Sequence, residues 1–160
     1  MVFGGNSKSA IHTPKNSKNS LSSRSRVNIT GGININTREV VSDIYSTINT
    51  ESTIDFFKQL SSAYPSSKKL HVILDGAGYH RSKELQDYVK NTKITLHYLP
   101  PYSPNLNPIE RLWKVMNEYA RNNRYFTTAK EFRDTIGEFF SETIPKIPEV
   151  LNSRITSILK

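Results

Sequence analysis

Two runs, LHVILDGAGYH at residues 70–80 and ITLHYLPPYSPNLNPIERLW at residues 94–113, decide how this chain is read. In the first, the apolar stretch Leu70–Leu74 reads as a buried strand that stops on an acid, Asp75, with Gly76-Ala77-Gly78 letting the backbone turn behind it. In the second, the strand Ile94–Leu99 runs into a proline-rich turn. Asn107 then reads as a helix cap, Pro108 as the first helical residue and Glu110 as the third, which predicts a capping box. The outcome is two carboxylates at the ends of neighbouring elements.

Working outward, Ser82–Lys90 has the spacing of a short helix with Leu85, Tyr88 and Val89 facing inward. Before it, Thr50 predicts a cap for a helix from Glu51 to Ala63, with Ile54, Phe57, Leu60 and Tyr64 as its apolar stripe and Pro65 as its stop. Alternation of Val27, Ile29, Ile33 and Ile35 predicts a strand, interrupted by a bulge at Gly31-Gly32. With a second strand over Glu39–Tyr45 and a turn at Asn36-Thr37, it reads as an antiparallel hairpin. After Glu110 the helix continues to about Arg121 and buries Ile109, Leu112, Trp113 and Met116. Thr127 or Thr128 caps another helix through Phe140, and a last one spans about Pro148 to Leu159. This order predicts an α/β fold: a mixed sheet, parallel after Glu51, flanked by helices.

At 160 residues the chain suits one domain. Residues 1–25 form an expected flexible, basic, serine-rich arm, 26–145 the domain proper and 146–160 a C-terminal helix. With no cysteine, disulfides and thiolate metal sites are excluded. No apolar run reaches the ~18 residues of a spanning helix, so a soluble, cytoplasmic setting is expected. The net charge is +8, and Lys8, Lys15, Lys18, Arg24 and Arg26 contribute to it where no acid stands. That surplus favours a polyanionic partner, nucleic acid first.

Sites on open α/β sheets gather at the carboxyl ends of parallel strands, where Asp75 and Glu110 both fall. Hard carboxylates without cysteine suit Mg²⁺ or Mn²⁺, the ions of phosphodiester chemistry. Either acid alone is explained as a cap. Together, on a basic chain, they favour a metal site.

The strand-ending LDGAGYH and the block YLPPYSPNLNPIERLWKVMN resemble the Asp-Asp-Glu transposases of bacterial insertion sequences related to the Tc/mariner superfamily. The 34 residues between Asp75 and Glu110 match that group's spacing between its second and third catalytic carboxylates. The resemblance covers about Arg26 to Phe140. It implies a ribonuclease H-like fold, Asp75 and Glu110 as metal-binding catalytic residues, and Mg²⁺-dependent cleavage and transfer of DNA at transposon ends. Partners so implied are transposon-end and target DNA, a second copy of the chain in an oligomer, and a setting beside the bacterial nucleoid.

One departure stands against it. The family's first catalytic Asp lies on a central strand preceding such a hairpin, but no Asp or Glu occurs here before Glu39. The chain therefore reads as the C-terminal catalytic portion of a transposase, expected to lack its first central strand and to be inactive alone, with an upstream transposase polypeptide as a possible complement. The rival readings are a non-catalytic DNA-binding remnant or regulator, and another ribonuclease H-like metal nuclease. Further candidates for nucleic-acid contact are His80, which could instead orient the site, Tyr102, Ser103 and Asn105 in the proline-rich loop, and Arg111 and Lys114 beside Glu110. His71 and His97 read as structural.

Overall fold

A computed structural model describes residues 2–10, 26–100 and 106–156. Five strands form one sheet in the order β3-β2-β1-β4-β5. They are β1 (Val2–Ala10), β2 (Arg26–Asn34), β3 (Val40–Tyr45), β4 (Leu70–Leu74) and β5 (Ile94–Tyr98). β1, β2 and β3 run antiparallel in turn, whereas β1, β4 and β5 are parallel. The expected mixed sheet is present.

The central strand expected to be missing is also present. Val2–Ala10 occupies the middle of the sheet, paired along its whole length with β2 and joined to β4 at Val2–Val72 and Phe3–Ile73. The flexible-arm expectation fails for these residues, and residues 11–25 lie outside the described ones. Its sequence, VFGGNSKSA, shows little apolar alternation. Backbone pairing on two sides does not depend on side-chain pattern, so this strand forms where periodicity gives no signal.

Helices cover both faces. α1 (Thr50–Ala63) and α2 (Lys83–Lys90) bury Phe56, Phe57, Leu60 and Leu85 against Leu70, Val72, Leu74 and Ile94. On the other face lie α3 (Ile109–Met116), α4 (Ala129–Glu138) and α5 (Pro148–Thr156), with Leu112, Trp113, Phe132, Phe139 and Leu151 against Val27, Ile29 and Ile33. β4 serves both layers: Val72 joins the first core and Ile73 is packed against the second.

Local chemistry explains most element ends. α1 begins one residue earlier than expected because Asn49, not Thr50, caps it. The Asn49 side chain accepts from the Ser52 amide at 2.9 Å, and Ser52 Oγ accepts from the Asn49 amide at 2.9 Å. Ser82 caps α2 and Thr128 caps α4 in the same way. The expected bulge at Gly31-Gly32 is absent, since β2 keeps continuous register with both neighbours. The glycine at 31 instead admits the Trp113 indole: a Cβ there would stand 2.7 Å from Cη2. α3 passes into a wider helical turn over Asn117–Arg121 before the chain reverses.

Candidate metal and nucleic-acid site

Asp75 follows directly on the carboxyl end of β4, and Leu99, just past β5, donates its amide to the Leu74 carbonyl at 2.8 Å. The pairing of β4 with β5 thus reaches the residue immediately before the first acid. The Asp75 carboxylate is held through one oxygen. Oδ1 accepts from the Ala77 amide at 3.2 Å and from His80 Nδ1 at 2.8 Å. Among the described residues nothing hydrogen-bonds Oδ2.

The His80 bond, more than the Ala77 amide, holds the Asp75 carboxyl below its ordinary pKa despite its partial burial. His80 itself is 3% exposed. Its carbonyl accepts from Tyr98 Oη at 2.7 Å, Gln86 Nε2 donates to that hydroxyl at 2.7 Å, and Tyr79 meets the ring edge-on. Of the two roles expected for His80, a phosphate contact or orienting the site, its buried ring bonded to Asp75 is the geometry of the second. Gln86 and Tyr98 escaped notice in the sequence because their contact with His80 arises only when the short helical turn Gly78–Arg81, α2 and β5 meet. Arg81, also missed, lays its guanidinium 4.7 Å from the centroid of the Tyr98 ring.

Glu110 occupies the first turn of α3, where a helix favours negative charge. The expected capping box is not formed. Asn107, 2% exposed, accepts the Ile109 amide through its own side chain at 3.3 Å, and the Glu110 amide donates to the Asn107 carbonyl at 3.1 Å. Asn107 therefore caps the helix without help, and among the described residues no hydrogen bond engages the Glu110 carboxylate. Burial raises its pKa, the charge of Asp75 raises it further, and Lys114 opposes both. The charge of Asp75 thus repels that of Glu110, and among the described residues Asp75 Oδ2 and the Glu110 carboxylate take part in no hydrogen bond.

That repulsion gives a stability prediction. Glu110 is raised on folding, so its ionised form costs stability; the cost begins as pH rises through the ordinary glutamate range and is complete above the folded-state value. Glu110→Gln is expected to melt higher than the unaltered chain at neutral pH, with the difference vanishing below the glutamate range. Thermal melts at several pH values check this.

Lys114 and Arg81 are exposed, Arg111 is half-buried, and among the described residues none of the three forms an ion pair. Tyr102, Ser103 and Asn105 lie outside the described residues. His71 and His97 hydrogen-bond each other across β4 and β5 at 2.9 Å. Among the described residues no three metal-ligating side chains gather, so Asp75 and Glu110 stand as a pair. As a donor set they fit a hard divalent cation in kind and fall short in number. No described helix is long and apolar enough to cross a membrane.

The family model described as DDE superfamily endonuclease matches residues 8–133. The chain is 30% identical over 96 residues to the insertion element IS630 uncharacterized 39 kDa protein of Shigella sonnei, covering 59% of this chain and 28% of that protein. It is 42% identical over 66 residues to the transposable element Tc3 transposase of Caenorhabditis elegans, covering 40% of this chain and 20% of that one. It therefore spans less than a third of either relative. In fold it is similar to the catalytic domain of Mos1 mariner transposase, with a TM-score of 0.68 at 16% identity over 99% of this chain and 82% of that one. The sheet order, the paired acids and the ribonuclease H-like likeness agree with a family match covering most of the sequence: the chain belongs to the DDE superfamily endonucleases.

Proposed function

We propose that this chain serves DNA transposition as part of the catalytic domain of an insertion-sequence transposase. The observation that carries the reading is the pair itself: Asp75 just past the end of β4, with one carboxylate oxygen outside any hydrogen bond among the described residues, and Glu110 in the first turn of α3, with its carboxylate likewise unbonded, in a chain of this family. Mos1 transposase, similar in fold, has been solved with Mn, with Mg and with a transposon end. By that likeness Asp75 and Glu110 would hold Mg²⁺ or Mn²⁺, which when bound would neutralise the phosphodiester and lower the pKa of an attacking water or hydroxyl.

The chain's own residues prepare that chemistry. His80 and the Ala77 amide fix Asp75 Oδ1 and leave Oδ2 without a hydrogen bond among the described residues. α3 presents Glu110 from a rigid element, the arrangement that keeps a ligand within a fraction of an ångström of its working position. Lys114, one turn on, supplies positive charge beside the acids for a phosphate oxygen.

The central strand is present but carries no acid. Continuing the pairing of Phe3 with Ile73 by two residues sets Gly5 level with Asp75. A third carboxylate would come from outside this chain, and an upstream transposase polypeptide is the proposed source of that acid, brought to the site beside the strand that β1 already fills. The missing acid is also the observation favouring the second reading, a DNA-binding remnant without activity. Purified chain incubated with transposon-end DNA and Mn²⁺, alone and with the upstream polypeptide, separates them: cleavage only in the mixture supports the split enzyme, and no cleavage in either supports the remnant. Gly5→Asp supplies an acid at the matching register position. It is expected to raise Mn²⁺ affinity at least about tenfold, read by electron paramagnetic resonance of free Mn²⁺.

A further inference from the structure

We propose that Arg81 is the residue that grips the nucleic-acid backbone at the Asp75 side of the site, by binding a phosphate oxygen of the DNA strand; this rests on the reading of the site as a DNA-processing one. Arg81 follows His80, the residue bonded to Asp75, so its backbone is fixed to the same turn, Gly78–Arg81, that locks the acid. Its side chain is exposed and, among the described residues, pairs with no carboxylate. Its charge is therefore not spent on a carboxylate of the described residues and is available to an anionic partner.

The guanidinium is also pre-positioned. It lies over the Tyr98 ring at 4.7 Å, and that ring is itself held, its hydroxyl donating to the His80 carbonyl and accepting from Gln86. A guanidinium held over an aromatic ring retains N–H donors for a phosphate and loses less side-chain freedom on binding than a free one. Lys114 lies on the Glu110 side of the pair.

The test is binding without metal, so it does not depend on cleavage. A fluorescein-labelled 30-base-pair duplex is titrated with the full chain in EDTA at several salt concentrations, and anisotropy gives the affinity and its salt slope. Loss of one phosphate contact lowers the magnitude of the slope by about 0.9 and weakens binding about five- to tenfold near 0.1 M salt. Arg81→Gln is expected to show both changes and Arg81→Lys to recover most of the slope. Lys90→Gln, which removes a charge paired with Asp87 at 2.7 Å, is the control and is expected to change neither. Arg81→Gln binding with the slope and affinity of the unaltered chain overturns the proposal, and so does an unaltered chain that shows no salt-dependent binding. Failure of cleavage with the upstream polypeptide, while Arg81→Gln still weakens binding, would instead remove the catalytic reading and leave this contact in place.

Discussion

Asp75→Asn is expected to lower metal-dependent strand cleavage by about 10³-fold or more in the assembly that supplies the third carboxylate. The reasoning is electrostatic. The substitution keeps the size of the side chain and an oxygen able to accept from His80 and Ala77, so the turn at residues 75–81 should survive. What disappears is the charge that would hold a divalent cation. Cation stabilisation of the transferring phosphodiester is worth several kcal/mol, and about 4 kcal/mol corresponds to a thousandfold in rate. Glu110→Gln is expected to fall similarly in cleavage while gaining stability at neutral pH. That opposite movement distinguishes a ligand from a structural acid. Rates from single-turnover nicking of transposon-end DNA, beside melts of the same preparations, provide the check; a loss under tenfold for Asp75→Asn would remove Asp75 from the catalytic machinery.

Trp113→Ala is expected to cost about 3–5 kcal/mol, which for a chain of this length is a fall in melting temperature of roughly 6–20 °C. Trp113 is 4% exposed, lies one turn after Glu110 on α3, and seats its ring on the β2 backbone at Gly31. Phe140 meets it edge-on with centroids 6.3 Å apart. Removing the indole empties the contact that sets α3 on the sheet, and with it the placement of Glu110. Gly31→Ala attacks the same contact from the other side and is expected to cost about 1–3 kcal/mol, because its Cβ would lie 2.7 Å from the ring. In a Trp113→Leu background the Gly31→Ala cost should shrink, a coupling that denaturant unfolding of the four variants measures. Trp113→Ala losing under 1 kcal/mol would contradict this seating.

Much of the fold was legible because buried strands and amphipathic helices leave periodic traces. Leu70–Leu74 and Ile94–Tyr98 declare themselves by composition, and the α3 face by Ile109, Leu112, Trp113 and Met116. β1 left no such trace, since Gly4 through Ser9 is small and polar and its place depends on ladder pairing with β2 and β4. The departure from the family motif is accordingly narrower than the sequence suggests: the central strand is occupied, and only its carboxylate is lacking. Gly31-Gly32 misled for a related reason, as a glycine that marks a bulge looks the same as one that admits a ring from another layer.

The candidate site divides in the same way. Asp75 and Glu110 were readable from spacing and from their places at element ends. The division of labour around them was not, because it depends on meetings between distant residues. His80 reads in sequence as a phosphate contact or as a residue orienting the site, and in the fold its ring is buried and bonded to Asp75. Tyr98, eighteen positions later, is tied to its carbonyl and carries Arg81 on its ring.

The most direct test of the central claim, that Asp75 and Glu110 are two members of a divalent-cation site whose third acid lies outside this chain, is the Mn²⁺ affinity of the unaltered chain with and without the upstream polypeptide. Alone, the chain should bind weakly, with Kd on the order of 10⁻³ M, and Asp75→Asn should abolish that binding; with the polypeptide the affinity should rise at least about tenfold. Micromolar binding by the chain alone, or binding that Asp75→Asn and Glu110→Gln leave unchanged, would contradict the account.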